Sequence, residues 1–463
     1  MKRKQLVFLQ QWLAKPHRKP IIVRGARQVG KSTLVRIFCE RENRPLTEIN
    51  LERLAGMESG LAAAFNRKDP EGLLNLLEAL PGINIIAADS LLFFDEIQAL
   101  PEAIPALRYF YEDMNQLPVV AAGSLLEFAL CDHQFSMPVG RIEYLHMGPM
   151  TFTEFLDALN ETKLVSIIQN YEAGQDINPV IHHRLLELLR IYFFVGGMPE
   201  AIKVYANSRQ LKDVSDVHNS IIETYREDFP KYIGSRNLGR IQSVFNFASR
   251  NVGKKVKYSQ YSNQDKSATI KSDIELLCMA RVLSKVIHSH CSGLPLQADI
   301  EEKVYKLLFL DVGLMNANCG LGWNTISQIA DTQLINEGVI AEQFIGQHLQ
   351  DMLSGSPNRD LTYWLREGRS SNAEVDYVIA LDGKIIPIEI KAGATGSLKS
   401  LHQFVGEKGV RQAVRFDTSM PSTQVINTRI RRGEKAVDVN YQLLSLPLYL
   451  VERLPDLMPA LRN

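Results

Sequence analysis

The chain has 463 residues, in which 52 lysines and arginines balance 52 aspartates and glutamates. Hydrophobic residues make up 45% and charged residues 22%, which excludes long disordered, collagen-like and coiled-coil proteins. No apolar run reaches the roughly 18 residues of a membrane helix, and no cleavage site for a secretory leader follows Met1. The five widely spaced cysteines form no CxxC pair, which indicates reduced thiols. We predict a cytoplasmic, multidomain protein without a membrane partner.

The neutral total hides three charged stretches. Residues 71–113 contain eight acidic residues and one arginine. Residues 236–285 contain ten basic residues against three acidic ones, and residues 399–435 contain eight against three. Basic patches of this size attract polyanions, most often nucleic acid. The alternative is a solvated face that balances the acidic region of the same molecule.

A phosphate-binding motif follows the first predicted strand, at residues 21–23. Residues 25–32 read GARQVGKS and fit GxxxxGK[ST] at every fixed position. Gly25 and Gly30 let the backbone curl around phosphate oxygens, Lys31 meets the β- and γ-phosphates, and Ser32 offers a hydroxyl to Mg²⁺. A helix predicted from Leu34 adds a favourable dipole. The predicted ATP-binding residues are Gly25, Ala26, Arg27, Gln28, Val29, Gly30, Lys31, Ser32 and Thr33.

Two further predicted strands end in polar residues that suit ATP hydrolysis. Residues 91–96 read LLFFDE, in which Asp95 is a predicted Mg²⁺ ligand and Glu96 is predicted to orient the attacking water. The strand at 117–122 precedes Ser124, a candidate sensor of the γ-phosphate. Arg141 is a candidate arginine finger, which acts on its own or on a neighbouring subunit's nucleotide. The alternative for Arg141 is a structural role.

The sequence of the middle region predicts several helices, followed by a winged helix. The segment LLELLRIYFF has apolar residues at helical spacing and ends at Gly196-Gly197. Helices near 241–248 and 269–282, followed by strands at 283–290 and 304–310, have the order of a winged helix whose second helix recognises DNA. The alternative is a winged helix that docks protein. The predicted phosphate contacts are Lys254, Lys255, Lys257 and Lys271.

Two carboxylates and a lysine near the C-terminus have the spacing of a nuclease metal site. Asp376 begins one predicted strand, and Glu389 and Lys391 lie on one face of the return strand. Written D-x12-E-x-K, they match the PD-(D/E)xK pattern, in which the acids bind Mg²⁺ and the lysine helps to activate water. Glu342 is a candidate further acid. Pro387 indicates an edge strand, because proline lacks a backbone N–H.

The histidines predict no metal site. His288 and His290 alternate on a predicted strand, and the HxxxH or CxxC spacing of a zinc site is missing. We therefore expect these histidines to be hydrogen-bonded or exposed.

The motifs together resemble those of prokaryotic AAA+-type ATPases with a conserved C-terminal region of unknown function. The resemblance covers nearly the whole chain. It implies an α/β fold with an ATPase core at 1–150, a helical lid and linker at 151–235, a winged-helix domain at 236–320 and a restriction-endonuclease-like domain at 321–463. It rests on KPIIVRGARQVGKSTL, LLFFDEIQ, LRYFYED, AAGSLLEF, VGRIEYLHMGPMTFTEF, YFFVGGMPEAI, KLLFLDVGLMNA and EVDYVIALDGKIIPIEIKAG.

The sequence thus predicts an ATPase that uses ATP and Mg²⁺, that acts on or is switched by nucleic acid, and that carries a nuclease-like C-terminal domain. A homo-oligomer is one of the alternatives for its assembly. The alternative function is an ATP-gated regulatory or protein-binding module whose C-terminal domain is catalytically inert.

Overall fold

The computed structural model divides the chain into two compact units. One contains residues 1–148 with 279–281, and the other contains residues 149–278 and 282–463. Within the residues that the structure describes, no helix is long and apolar enough to cross a membrane. The described residues are 1–54, 58–80, 90–124, 137–233, 237–262, 264–321, 338–355, 360–367, 372–391, 398–432 and 435–458.

A parallel sheet forms the first unit, and its described strands have the order β2-β3-β4-β1-β5. The central strands β3 and β4 are buried at every position, as their unbroken apolar sequences LLFFD and VVAAG require. The strands are β1 Ile21–Arg24, β2 Leu46–Asn50, β3 Leu91–Asp95, β4 Val119–Gly123 and β5 Glu143–His146. The helices are α1 Gln5–Leu13, α2 Lys31–Arg41, α3 Glu58–Asn66, α4 Pro70–Glu78 and α5 Ala103–Asp113.

The strand order of this sheet brings the predicted nucleotide-binding residues together. Because β4 lies between β1 and β3 and all pairings are parallel, the carboxyl ends of the three strands meet at one edge. The phosphate-binding loop follows β1, Asp95 ends β3 and Ser124 follows β4. Ligands of open α/β sheets bind at this edge.

The predicted elements of the first unit are present with small shifts. The strand predicted at 117–122 occupies Val119–Gly123. Helix α2 begins at Lys31, three residues before the predicted start at Leu34, because the loop lysine itself is the first helical residue.

The second unit begins with helices. Helix α6 starts in a capping box, in which the Thr151 hydroxyl accepts from the Glu154 N–H and the Glu154 carboxylate accepts from the Thr151 N–H. After residue 149 the described helices are α6 Phe152–Ala158, α7 Thr162–Gln169, α8 Pro179–Val195, α9 Pro199–Ser208, α10 Leu211–Asp228, α11 Pro230–Ile233, α12 Leu238–Arg250, α13 Tyr258–Tyr261, α14 Ser267–Met279, α15 Val312–Asn318, α16 Gly338–Met352, α17 Lys399–Lys408 and α18 Leu454–Leu457. Short 3-10 turns occupy Leu51–Leu54, Ile97–Ala99, Leu296–Asp299, Leu353–Gly355 and Leu448–Arg453.

A mixed sheet follows, and its described strands have the order β12-β13-β11-β10-β9-β8-β6-β7. The predicted order of two helices and a hairpin is present as α12, α14, β6 and β7. However, β6 pairs with β8, which joins the hairpin to the C-terminal strands across the boundary predicted at residue 320. The strands are β6 Leu283–Ser289, β7 Ile300–Phe309, β8 Leu361–Arg366, β9 Ala373–Leu381, β10 Lys384–Ile390, β11 Gln412–Asp417, β12 Ser422–Arg432 and β13 Lys435–Pro447. The winged-helix and nuclease-like domains stay predictions.

Pro387 lies on an interior strand, so the predicted edge strand is wrong. Strand β10 pairs with β9 on one side and with β11 on the other. Its ladder with β11 begins only at Ile388, one residue after the proline. The missing N–H of Pro387 therefore costs no hydrogen bond to β11.

Candidate functional site

The phosphate-binding loop has the backbone shape that its glycines permit. Gly30, the N-cap of α2, has a φ of 92°, and Gln28 has a φ of 62°, both in the left-handed region. A Cβ atom at Gly25 would lie 2.1 Å from the carbonyl oxygen of Met147. Glycine is therefore required at Gly25 by close approach and favoured at Gly30 by its dihedral angle. Ala26 and Val29 are buried, Arg27 is half-buried, and Thr33 is exposed in the first turn of α2.

Lys31 folds back over this loop. Its Nζ donates to the carbonyl oxygens of Gly25 at 3.1 Å and Ala26 at 2.8 Å, and the residue is only 8% exposed. A phosphate group would offer the ammonium a charged acceptor in place of two neutral carbonyls. Charge-assisted hydrogen bonds are about twice as strong as neutral ones.

Ser32 and Asp95 already contact each other. The Ser32 hydroxyl lies 2.9 Å from each carboxylate oxygen of Asp95. Burial raises the pKa of Asp95 above its usual value, although the hydrogen bond from Ser32 opposes this shift. A hydroxyl and a carboxylate are oxygen ligands of the kind that Mg²⁺ prefers, so the pair fits this ion.

Glu96 is held by a residue that the sequence did not single out. Gln98 donates from Nε2 to Oε2 of Glu96 at 2.5 Å. Its Oε1 approaches Gly123 so closely that a Cβ there would lie 2.3 Å away. Glu96 itself has a φ of 52°, which is uncommon for a residue other than glycine and clusters at active sites. Gln98 thus positions Glu96 against the end of β4, and its only sequence signal is its place in DEIQ.

Ser124 is buried next to the same edge of the sheet. It is 3% exposed, and among the described residues its hydroxyl has no hydrogen-bond partner. Buried polar atoms nearly always have a partner. The hydroxyl is therefore a candidate contact for a ligand at the carboxyl end of β4.

Arg141 lies at the amino ends of the strands, whereas the phosphate-binding loop lies at their carboxyl ends. It precedes β5, whose first residue, Glu143, pairs with Ile21 at the start of β1. The four residues of β5 span about 13 Å, at roughly 3.3 Å per residue, and this length separates Arg141 from the carboxyl ends of the strands. The role of Arg141 as an arginine finger, on its own or on a neighbouring subunit's nucleotide, stays a prediction. Arg141 pairs instead with Glu112 at 2.9 Å, and its side chain is 44% exposed.

Arg3 supports the loop from the N-terminus of the chain. It is 6% exposed, and it donates to the carbonyl oxygens of Val29 at 3.3 Å and Gly148 at 2.8 Å. Arg3 is absent from the predicted site, because a basic N-terminus does not reveal a contact to a loop 26 residues away.

The predicted nuclease residues also converge, in the second unit. Asp376 on β9 lies opposite Glu389 on β10, next to the paired residues Tyr377 and Ile388. The Asp376 carboxylate accepts from the Ile390 N–H at 2.7 Å, and Lys391 donates to Oε1 of Glu389 at 2.5 Å. Within the described part of the chain, Oε2 of Glu389 is buried without a partner.

A buried lysine that was not predicted joins this cluster. Lys306 on β7 is 1% exposed and forms ion pairs with Glu342, at 2.9 Å, and with Glu374. Burial alone would lower the pKa of Lys306, but Glu342 and its acidic neighbours raise it above its usual value, so the ammonium stays charged. The sequence signal is a lysine inside the apolar run VYKLLFL.

Lys306 pairs with Glu342, the candidate further acid of the predicted nuclease site. The Lys306 ammonium donates to Oε1 of Glu342 at 2.9 Å. Burial raises the pKa of both Asp376 and Glu389, so an additional cation is favourable beside them. Asp376 and Glu389 are therefore the pair that fits a divalent ion.

The basic stretch of the second unit is partly neutralised by its own carboxylates. Lys255 pairs with Glu367 at 2.7 Å, and Lys271 lies 3.6 Å from Glu275. Arg240 pairs with the buried Asp273 in the same way. Among the predicted phosphate contacts, Lys254, Lys257 and Lys271 are exposed, and Lys255 is half-buried.

Known families match three successive parts of the chain. Residues 17–156 match an AAA domain. The first unit is thus similar to an AAA-type P-loop domain over residues 17–148. After this AAA domain, residues 186–325 match a domain of unknown function, DUF8612, and residues 337–449 match another, DUF4143. The predicted P-loop α/β fold is confirmed for the AAA domain by this match and by its parallel sheet.

Two solved structures with low similarity also align with the chain. The RuvB Holliday junction branch migration motor of Thermotoga maritima is 16% identical, with 61% of this chain and 88% of that chain covered and a TM-score of 0.28. The ORC2 protein of Aeropyrum pernix is 10% identical, with 70% and 92% covered and a TM-score of 0.33. No curated protein matches the chain.

Proposed function

We propose that the AAA domain binds and hydrolyses ATP with the help of Mg²⁺. The observation that carries this proposal is the convergence of five side chains at the carboxyl ends of three neighbouring strands, β1, β3 and β4. They are Lys31, Ser32, Asp95, Glu96 and Ser124.

Each of these side chains has a distinct task. Lys31 leaves the carbonyls of its own loop for the β- and γ-phosphates, and the N-terminus of α2 adds its dipole. Ser32 and Asp95 hold Mg²⁺, which neutralises charge that develops on the phosphate oxygens. Glu96, fixed by Gln98, orients the attacking water, and the buried hydroxyl of Ser124 contacts the γ-phosphate.

Arg141 completes this site in a neighbouring copy of the chain. Since it lies at the opposite edge of its own sheet, it meets a nucleotide only when that edge faces the phosphate-binding loop of another subunit. Such a contact is head-to-tail, which generates rings or filaments. The proposed active form is therefore a homo-oligomer.

Replacing Lys31 with alanine is expected to weaken ATP binding by tenfold or more, because the phosphates lose a buried, charge-assisted contact worth about 1.5–3 kcal/mol. Fluorescent ATP titrated into the full chain measures this change. The control is Arg67→Ala, which removes an exposed cation from the same unit. Equal affinities of the wild type and Lys31→Ala would contradict the proposed phosphate site.

We also propose that the second unit acts on nucleic acid, with Asp376 and Glu389 as Mg²⁺ ligands and Lys391 as the lysine beside the attacking water. The supporting observation is the buried, unpartnered oxygen of Glu389 beside Asp376. The proposed phosphate contacts are Lys254, Lys257 and Lys271. Lys255 is a fourth contact once its ion pair with Glu367 breaks. The alternative, an ATP-gated protein-binding module, needs none of these residues.

A cleavage assay separates these two functions. Incubation of the full chain with DNA or RNA and Mg²⁺ is expected to cut the substrate, and Asp376→Ala is expected to lower the rate by at least about a hundredfold through loss of a metal ligand. The control Glu223→Gln changes an exposed acid of the same unit. If the wild type neither binds nor cuts nucleic acid, the protein-binding alternative replaces this proposal.

A further inference from the structure

Two histidines at the end of β6 lie on one face of the sheet. His288 and His290 are two residues apart on an extended segment, so their side chains point to the same side. Their ring centroids are 4.8 Å apart. His288 is 4% exposed, whereas His290 is exposed.

An irregularity of the β6–β7 ladder adds a carboxylate to this pair. Ile287 pairs with Tyr305, but the next residue, His288, pairs with Glu301, so residues 302–304 bulge out of the ladder. Such bulges re-aim side chains and occur beside functional sites. As a result, one ligand atom from each of His288, His290 and Glu301 lies within 4.8 Å of the others.

The backbone of β8 holds the ring of His288. The Leu365 N–H donates to Nδ1 at 3.3 Å, and the carbonyl of Tyr363 also hydrogen-bonds the ring. A metal ion at Nε2 would take the place of the ring proton there, and the proton would then lie on Nδ1 and donate to the Tyr363 carbonyl in place of the bond from Leu365. Histidine ligands usually have their second nitrogen anchored in this way.

The three side chains line a cavity of about 450 Å³. Lys255, Trp364 and Glu367 contribute to its other walls. A metal ion at the three side chains would therefore keep a coordination position that a small ligand or water could reach.

We propose that His288, His290 and Glu301 bind a divalent transition-metal ion, with Zn²⁺ as the best match, and leave one position open to this cavity. Two imidazole nitrogens and one carboxylate oxygen are a ligand set that Zn²⁺ uses in sites with an open position. Tetrahedral bonds of about 2.0–2.1 Å place ligand atoms about 3.3 Å apart. Side-chain rotation of the exposed His290 and Glu301 brings them to that distance.

The absence of HxxxH spacing therefore does not exclude a metal site in this chain. That spacing brings two histidines together on a helix, whereas on a strand HxH does the same. Glu301 is outside any local motif, because only the bulge places it opposite His288.

Metal binding is tested on the full chain after treatment with a chelator. Zn²⁺ is titrated against a chromophoric chelator in excess Mg²⁺, which occupies sites made of oxygen ligands. Co²⁺ in place of Zn²⁺ reports tetrahedral geometry through its visible absorption. The wild type is expected to bind one equivalent that His290→Ala and Glu301→Gln each weaken by at least about tenfold.

The control is His183→Ala, which removes an exposed histidine from α8. It is expected to bind Zn²⁺ as the wild type does. Both variants change exposed side chains, and unchanged circular dichroism would establish that they fold. The proposal is overturned if the wild type takes up no Zn²⁺ in excess Mg²⁺, or if both variants bind it with wild-type affinity.

Discussion

Replacing Arg141 with alanine is expected to lower ATP turnover by about 10³–10⁵-fold while ATP binding changes little. An arginine finger stabilises charge that develops only in the transition state, and losses of this size follow its removal. Steady-state phosphate release and equilibrium ATP binding, measured on the same preparation, separate the two effects. The effect requires assembly, because Arg141 lies at the far edge of its own sheet.

Arg108 provides a matched control for this prediction. Like Arg141, it pairs with Glu112 at 2.9 Å, and its side chain is 52% exposed. Exposed ion pairs contribute only about 0–1 kcal/mol. Arg108→Ala is therefore expected to keep wild-type turnover. If Arg108→Ala and Arg141→Ala lose activity equally, the role of Arg141 is to hold Glu112 and not to reach a nucleotide.

Replacing Glu96 with glutamine is expected to retain ATP binding and to lower hydrolysis by about 10²–10⁴-fold. The amide keeps the shape of the side chain but loses the negative charge that orients and polarises water, and proton transfer catalysis contributes factors of this size. Single-turnover hydrolysis of bound ATP measures the chemical step directly. The control Glu52→Gln changes an exposed acid of the same unit. Wild-type hydrolysis by Glu96→Gln would remove the assigned role.

A mixture of the Arg141→Ala and Glu96→Gln variants tests both proposed roles together. In a mixture, the intact site of an Arg141→Ala subunit can face the intact Arg141 of a Glu96→Gln subunit. We expect the mixture to hydrolyse ATP faster than either variant alone. A mixture of Lys31→Ala and Glu96→Gln should gain nothing, because neither chain has an intact site.

The proximity of the residues in the proposed nucleotide site could be predicted because they lie in short motifs. Lys31 and Ser32 are fixed by the loop, and Asp95 ends an apolar strand whose parallel pairing follows from its sequence. Asp376 and Glu389 could be paired for a similar reason, since a tight turn at Gly383 joins their strands.

Contacts between distant parts of the chain were not accessible from the sequence. Lys306 meets Glu342, which is 36 residues away, and Arg3 meets Gly148, which is 145 residues away. The position of Arg141 relative to the loop depends on the strand order of the whole sheet. The pairing of His288 with Glu301 depends on an irregular ladder, which no local pattern specifies.

The central claim is that the AAA domain hydrolyses ATP at its phosphate-binding loop. Its most direct test is Mg²⁺-dependent release of phosphate from ATP by the full chain, measured for the wild type and for Lys31→Ala purified in parallel. The wild type is expected to turn over ATP only with Mg²⁺, and Lys31→Ala is expected to lose this activity. Phosphate release that is absent from the wild type, or equal in the two proteins, would contradict the claim.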